Sequence, residues 1–218
     1  MSLPRFLVSV ALVTVLIHGG ALAQTTTNPN LNAQLLVAAR QNDTTAVERA
    51  LARGAAVNSR NRLGKTALLT ATEKGNAGMV ERLMAAGADV NLASLEGVTP
   101  LMAAAYYGHA ALARRFLDAG ARTDPVDRMK KPAIVYAAGQ GHAALLALLL
   151  ERGVPVDATY EQRLTALMWA AGQGHAEAVK LLLDRGAHAD LRDDRGLTAL
   201  DMARQGGHAA VVALLAAR

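Results

Sequence analysis

The heptapeptide AAGQGHA occurs twice in this chain, at residues 137–143 and at residues 170–176. Each copy opens a largely apolar run, ALLALLLERG after the first copy and EAVKLLLDRG after the second. By itself, the spacing of its glycines matches the G-x-G-x-x-G/A turn that binds a dinucleotide pyrophosphate after a strand. Here a helical segment, PAIVYAA, precedes the first glycine, and the stretch returns in step with other repeated residues. The recurrence therefore favours a structural repeat over a nucleotide site.

A fixed period extends over most of the chain. Gly-His pairs begin at positions 108, 141, 174 and 207, evenly spaced, and Gly75-Asn76 and Asn42-Asp43 lie in the same phase. Self-similarity at a fixed period is the sequence signature of a repeat architecture. Three further columns share this register: Gly54, Gly87, Gly120, Gly153 and Gly186; Asn58, Asn91, Asp124, Asp157 and Asp190; and Thr66, Thr99, Pro132, Thr165 and Thr198.

Residues 99–131 show how each unit forms. Thr99 is a good N-cap for a short first helix, and Pro100 suits its first turn because its φ angle is preset. A second helix over residues 110–119 ends at Gly120, a residue type common after helices. The connection that follows is expected to be an exposed turn or β-hairpin. Aromatic residues make up only 3% of the chain, and the dominant alanine and leucine favour helices.

The stretch TPLMAA at residues 99–104, followed by Gly108-His109, resembles the ankyrin repeat, as does LMAAGADVN at residues 83–91. The resemblance covers residues 31–218. It implies an all-α repeat solenoid of about six stacked helix-turn-helix units with β-hairpin or turn connections, because one helix pair cannot cover its own apolar faces. The first helix of the first pair is predicted over residues 34–40. The predicted units are residues 31–60, 61–93, 94–126, 127–159, 160–192 and 193–218.

Several residues depart from the repeat. Pro132 replaces a capping threonine, so this helix start loses its side-chain cap. Lys130 and Arg163 replace a glycine that other units carry in the preceding turn, which predicts strained or differently shaped turns. The last helix, HAAVVALLAAR, is barely more polar than an internal one, although solenoid ends normally need a polar cap. This predicts a frayed or self-associating C-terminal face.

The N-terminal 23 residues have the pattern of a secretory signal peptide. Arg5 precedes a short apolar run, and Ala21-Leu22-Ala23 is an A-x-A cleavage signal. The apolar run is short for a spanning helix, so we expect no stable membrane insertion after cleavage behind Ala23; a retained anchor is the alternative. Residues 24–30 are predicted to be a flexible leader. The absence of cysteine suits a bacterial periplasmic protein, with secretion beyond the envelope as the alternative.

Motifs for catalysis or metal binding are weak. The mature chain has no cysteine, its serines Ser59 and Ser94 lie outside G-x-S-x-G, and Gly64-Lys65-Thr66 lacks the upstream glycine of a phosphate-binding loop. The four histidines of the Gly-His pairs would lie about 8–10 Å apart on stacked helices, too far to surround one ion. We interpret them as helix-start residues that bond to a nearby turn. The sequence therefore predicts no enzyme activity, cofactor or metal.

Tyr136 and Trp169 occupy the same position of the repeat, each in the first helix of its unit. We interpret them as stacked core residues, with a ligand-binding box as the alternative. The formal net charge is +5, or +4 without Arg5. Basic residues cluster in the early tips, and the last hairpin is rich in aspartate, which favours an acidic partner for the N-terminal half. The charge is too weak and mixed to predict nucleic-acid binding.

The resemblance implies partner contacts at hairpin tips and on the concave face of the first helices. Tyr106 and Tyr107 are the best candidates, because tyrosine is enriched in binding hot spots. The predicted function is a non-catalytic protein-protein interaction scaffold in the bacterial periplasm. The alternatives are a secreted effector acting on a host protein, or a small-ligand binder or accessory factor of a periplasmic enzyme. The candidate residues are Arg60, Arg62, Leu63, Lys65, Leu95, Glu96, Val98, Tyr106, Tyr107, Arg128, Met129, Lys131, Gln140, Glu161, Gln162, Leu164 and Gln173.

Overall fold

A computed structural model describes residues 29–217; the predictions for the signal peptide and for the leader up to residue 28 lie outside the described residues. The described chain contains twelve α-helices, one short 3-10 helix (Glu161–Arg163) and no β-strand. The α-helices are α1 (Pro29–Gln41), α2 (Thr44–Ala52), α3 (Ala67–Glu73), α4 (Ala77–Ala85), α5 (Pro100–Tyr107), α6 (Ala110–Asp118), α7 (Ala133–Gly139), α8 (Ala143–Glu151), α9 (Ala166–Gly172), α10 (Ala176–Asp184), α11 (Ala199–Gln205) and α12 (Ala209–Ala216).

Each predicted unit contains one pair of helices, and the pairs stack in sequence order. The prediction of an all-α solenoid of six pairs is confirmed. The first helices of successive pairs pack more closely together than the second helices do. The stack therefore curves toward the first helices, which line its concave side. The expected β-hairpins are tight turns without strand ladders.

The first helix differs from the prediction. It begins at Pro29 rather than at residue 34, so it includes the last two residues of the predicted leader. Leu31 is 7% exposed and Leu35 is fully buried, which gives the additional turn an apolar anchor. Burying a leucine side chain contributes about 1.5–3 kcal/mol, enough to favour helix over a solvated leader at these positions.

Small residues set the close spacing of the first helices. Each of these helices carries a buried alanine at the same position, for example Ala104, Ala137 and Ala170, which are all fully buried. Larger side chains fill the space between first and second helices, with Phe116 and Leu149 among the fully buried ones. The core is continuous along the solenoid, so each unit depends on its neighbours for burial.

The starts of the first helices follow the sequence closely. The side chains of four threonines accept hydrogen bonds from backbone N–H groups in the first turn, as Thr165 does from Met168 at 3.2 Å. Pro132 precedes α7 without such a bond, as predicted. A capping side chain typically contributes about 1 kcal/mol, so α7 starts with less local stabilisation than the other first helices of the repeat.

The second helices start in two ways. Asp43 and Asn76 cap α2 and α4 through their side chains. In three later units the histidine ring instead reaches back to the preceding unit, and Nε2 of His175 lies 2.9 Å from the carbonyl oxygen of Gly139. The interpretation of these residues as helix starts that bond to a nearby turn is confirmed for His142, His175 and His208.

The glycines of AAGQGHA serve this contact between units. Gly141 has a φ of +74°, which turns the chain from α7 into α8. A Cβ atom added there would lie 2.6 Å from Nδ1 of His175. The histidine of the next unit therefore occupies the space beside the glycine that a phosphate would need.

Candidate functional site

Five-residue loops, here called tip loops, project beside the first helices of the second to sixth units. Each is closed by a hydrogen bond from its first N–H group to its last carbonyl oxygen, for example from Ser94 to Val98 at 2.9 Å. In four of the five loops the first side chain also accepts a bond from backbone N–H groups of the loop. The tip loops are residues 61–65, 94–98, 127–131, 160–164 and 193–197.

Backbone hydrogen bonds join most neighbouring tip loops. Leu95 donates to Leu63 at 3.0 Å, Arg128 donates to Glu96 at 2.8 Å, and Asp194 donates to Gln162 at 3.1 Å. Within residues 29–217, no equivalent bond joins the fourth and fifth units' loops. The row of loops therefore lacks a backbone bond at one place, which the ion pair of Lys130 with Glu161 spans.

Tyr160 explains the missing bond. It occupies the first position of the fifth unit's loop, where the other loops carry asparagine, serine or aspartate, and its ring has no acceptor that could hold the loop's backbone N–H groups. The loop takes another turn, in which Gln162 and Arg163 have φ values of +60° and +58°. The predicted strain where glycine is replaced is confirmed for Arg163, and also for Lys130, whose φ is +56°.

A cleft of about 390 Å³ lies between the tip loops of the fourth and fifth units. The buried Val135 and the half-buried Leu164 and Trp169 lie along it, and Met129, which is 60% exposed, lies at its edge. Tyr160 also lines the cleft, and burial raises the pKa of its hydroxyl to about 12. The hydroxyl therefore stays protonated well above the ordinary range of tyrosine, and the ring presents a mainly apolar surface to the cleft.

Two further depressions extend the cleft along the first helices. One of about 230 Å³ reaches Tyr106, and another of about 380 Å³ reaches Met202. Trp169 lines both of them as well as the cleft, so the three adjoin one another around its indole. We call the three together the inner groove.

Aromatic rings follow one side of the inner groove. Tyr106 packs edge-on against Tyr136 of the next unit, with ring centroids 5.7 Å apart. The Tyr136 hydroxyl donates to the buried carboxylate of Asp127. The pKa of Tyr136 lies above its usual range, mainly because the side chain is partly buried and secondly because of this hydrogen bond. The bond fixes the ring beside the fourth unit's tip loop.

The interpretation of Tyr136 and Trp169 as stacked core residues is only partly right. Both pack against the core, but both remain half-exposed and line the inner groove. Part of each side chain therefore stays accessible from the groove. The signal in the sequence that could have indicated this was the large size of these two side chains, because the equivalent positions of the second and third units carry Thr70 and Ala103.

Lys131 is the principal charge in the inner groove. Its Nζ atom stands 4.5 Å from the ring centroid of Trp169, a cation–π contact. The neighbouring Lys130 pairs with Glu161 at 3.2 Å, and Arg195 pairs with the buried Asp193 at 2.8 Å. None of the ion pairs in the described part of the chain involves Lys131. Its charge remains available to an anionic group that enters the groove.

The predicted candidate residues fall into two groups, and none of them is buried. Those that line the inner groove are Tyr106, Met129, Lys131, Gln140, Glu161, Gln162, Leu164 and Gln173. Those outside it are Arg60, Arg62, Leu63, Lys65, Leu95, Glu96, Val98, Tyr107 and Arg128. The groove residues that the sequence did not nominate include Lys130, Val135, Tyr136, Tyr160 and Trp169.

The two adjacent tyrosines pack edge-on against each other, with ring centroids 5.0 Å apart, but only Tyr106 lines the inner groove. Tyr106 faces the inner groove, whereas the ring of Tyr107 stacks on the imidazole of His109, with centroids 6.0 Å apart. Helical geometry turns consecutive residues by about 100°, so two neighbours on one helix point to different surroundings. Tyr106 is therefore the stronger candidate for a groove contact.

Several basic candidates already have partners within the chain. Arg60 donates to the carbonyl oxygen of Gly64 at 2.9 Å and to that of Ala93, and Lys65 pairs with Glu73 at 2.7 Å. Arg62 is exposed and takes part in no ion pair among the described residues. The last tip loop is less acidic on its surface than predicted, because Asp193 is only 3% exposed and holds the loop backbone.

Other kinds of site find no support between residues 29 and 217. The histidine, aspartate and glutamate side chains there form no group of three or more placed to hold a metal ion. No helix in this part of the chain is both long and apolar enough to cross a membrane.

The family model for ankyrin repeats (3 copies) matches residues 9–94, 35–127, 76–160 and 134–218. These overlapping matches extend over most of the chain, so the protein belongs to the ankyrin-repeat family. Ankyrin repeats generally mediate protein-protein interactions and serve as non-catalytic scaffolds. No curated protein matches the chain in sequence.

Proposed function

We propose that this protein is a non-catalytic scaffold that binds a partner protein in the inner groove. The single observation that carries the proposal is the gap between the tip loops of the fourth and fifth units, where Trp169 is only half-buried and Lys131 has no ionic partner among the described residues. Tryptophan and tyrosine are enriched in interface hot spots. Tyr106 and Met129 extend this surface at its two edges.

An affinity-capture experiment tests the proposal. Tyr106→Ala combined with Met129→Ala removes two exposed apolar contacts, which are 43% and 60% exposed, without opening the core. Val37→Ala is the matched control, because Val37 is 41% exposed at the N-terminal end of the stack. The groove variant should lose its captured partner while the control retains it. Equal capture by both variants would contradict the proposal.

We further propose that the protein acts in the bacterial periplasm. Support comes from the signal-like residues 1–23 and from the absence of cysteine. Cell fractionation with N-terminal sequencing provides the test, and a periplasmic product that begins at Gln24 is the expected result. Recovery from the culture medium would favour the alternative, a secreted effector that acts on a host protein.

The partner's docking surface is proposed to be acidic. Arg62 and Lys74 are exposed in the second unit and make no ion pair within the described residues. On the convex side, by contrast, acidic and basic side chains of successive second helices pair with each other, as Arg115 does with Glu81 at 2.6 Å. Arg62 therefore places a positive charge, without an ion pair among the described residues, in the second unit's tip loop, where it can steer an anionic surface.

Contact between copies through the C-terminal end is a further part of the proposal. In α10 the side chains of Val179 and Leu183 are covered by the next unit, whereas their equivalents in α12, Val212 and Ala216, are half-exposed and exposed. The exposed surface of this end is polar on α11, where Arg204 occupies a position that buries alanine in the third to fifth units. The α12 side of this end therefore offers an apolar surface to a second copy.

A second candidate function is the binding of a small ligand. The cleft volume of about 390 Å³ lies in the usual range for ligand sites, roughly 300–1,000 Å³. Native mass spectrometry of the purified chain distinguishes the two functions. A bound molecule that Met129→Trp displaces by filling the cleft would favour this candidate over the scaffold.

A further inference from the structure

The inner groove combines three features that together specify a ligand. It has an indole face at its centre, a cation above that face, and exposed side-chain amides along its length. Gln140 and Gln173 occupy the same position in the fourth and fifth units, and both are exposed. Each amide group can donate to a carbonyl and accept from an N–H group at once.

The spacing of these amides fits an extended polypeptide. Equivalent residues on neighbouring stacked helices lie about 8–10 Å apart. An extended strand of polyproline II type rises about 3.1 Å per residue and has three residues per turn, so residues three apart span about the same distance and point the same way. A strand of this type along the groove would thus bring a backbone amide to Gln140 and another to Gln173. A helical segment would instead satisfy its own backbone and leave the glutamines without this role.

The charges select the side chains of that strand. Glu161 is occupied by Lys130, and Asp127 accepts from the Tyr136 hydroxyl and from the backbone of its own loop. Lys131 alone combines a fixed position, over Trp169, with the lack of a carboxylate partner within the described residues. A carboxylate beside a large apolar side chain would pair with Nζ while the apolar group packs against the part of the indole that is accessible from the groove.

We propose that the inner groove binds an extended, acidic segment of the partner protein, with a carboxylate at Lys131 and a neighbouring large apolar side chain on Trp169. This inference rests on the proposed function and names the chemistry of its partner. Binding should weaken as salt rises, because the decisive ion pair is partly exposed.

Selection of linear peptides from a random display library tests the inference. The full chain should enrich peptides with aspartate or glutamate next to a large apolar residue. Lys131→Glu should replace that acidic preference with lysine or arginine. Lys180→Glu, the same charge change at an exposed position of α10, is the matched control and should keep the acidic preference.

The chain contains a single tryptophan, so one indole N–H signal reports on the site. Selected peptides should shift this NMR signal saturably. Lys131→Gln should weaken binding of acidic peptides about tenfold at low salt and abolish the difference between glutamate and glutamine versions. Gln140→Ala with Gln173→Ala should weaken binding of the glutamate and glutamine peptides equally, because the lost amides contact the peptide backbone rather than its side chains.

Three results would overturn the inference: no acidic preference, the same preference in Lys131→Glu, or peptide binding that leaves the indole signal unmoved. A library that yields no binding peptide at all would overturn it too. The outcome of partner capture separates this inference from the proposed function. If Tyr106→Ala with Met129→Ala abolishes capture while no acidic peptide binds, the groove binds a partner of different chemistry and only the further inference fails.

Discussion

Replacing Gly174 with alanine tests the contact that joins the fifth unit to the sixth. Gly174 has a φ of +79° in the turn between α9 and α10. A Cβ atom added there would lie 2.5 Å from Nδ1 and 2.8 Å from Cγ of His208. Gly186, in the same unit, has a φ of +86° and no heavy atom within 4 Å of its added Cβ. Gly186→Ala is therefore a matched control that changes the backbone preference without the contact.

The expected magnitudes follow from this geometry. A left-handed conformation costs an alanine roughly 1–2 kcal/mol, and both replacements carry this penalty. At Gly174 the imidazole must also move, which breaks the 3.0 Å bond between Nε2 of His208 and the carbonyl oxygen of Gly172. A hydrogen bond of this kind contributes about 0.5–1.5 kcal/mol net. Gly174→Ala should thus destabilise the protein by about 1 kcal/mol more than Gly186→Ala.

Urea unfolding followed by the fluorescence of Trp169 measures this difference in the unit concerned. In thermal unfolding, about 1 kcal/mol corresponds to roughly 2–4 °C for a chain of this size. The same two replacements in a His208→Ala background should cost equal amounts, because the obstructing ring is gone. The reasoning would be refuted if Gly174→Ala and Gly186→Ala destabilised the protein equally with His208 present. It would also be refuted if the difference between them persisted in the His208→Ala background.

Arg163→Gly should raise the free energy of unfolding by about 0.5–1 kcal/mol in urea titrations, because glycine adopts the left-handed conformation without strain. The greater conformational entropy of glycine in the unfolded chain offsets only part of this gain. Asp157 holds the pKa of His188 above its usual range through their side-chain contact. The contribution of this contact to the free energy of unfolding is therefore fully present below about pH 6.5 and is lost as pH rises through the folded-state pKa. NMR titration should show that Asp157→Asn returns the pKa of His188 toward its ordinary value, and an unchanged pKa would disprove this link. Val212→Glu should abolish concentration-dependent association in analytical ultracentrifugation, whereas a wild-type chain that stays monomeric at the highest soluble concentration would exclude self-association.

The framework of the fold could be predicted because it depends on local chemistry. Thr99 caps a helix through its own hydroxyl, and Gly141 turns the chain because it tolerates a positive φ. Residues that violate these local rules were equally visible, as Pro132 and Arg163 show. The start of α1 was predicted too late, since the burial of Leu31 depends on contacts with the rest of the stack.

The candidate site was predicted only in part. The surface position of Tyr106 follows from the repeat, but its orientation differs from that of Tyr107 because the ring packs on Tyr136 of another unit. Trp169 was assigned to the core, since its phase in the helix is that of a partly buried position. How much of the indole stays accessible depends on where the fifth unit's tip loop lies, and no local pattern predicts that position.

The sequence by itself determined the repeat: its period, its caps, the glycines at its turns and the number of helix pairs, because each of these is a short-range preference that recurs in unit after unit. The tertiary structure alone decided where the row of tip loops lacks a backbone bond. Tyr160 removes a bracing side chain, the loop adopts a different turn, and the backbone bond to the fourth unit's loop does not form. The resulting cleft joins Lys131 and Trp169, which belong to different units of the repeat, into one surface.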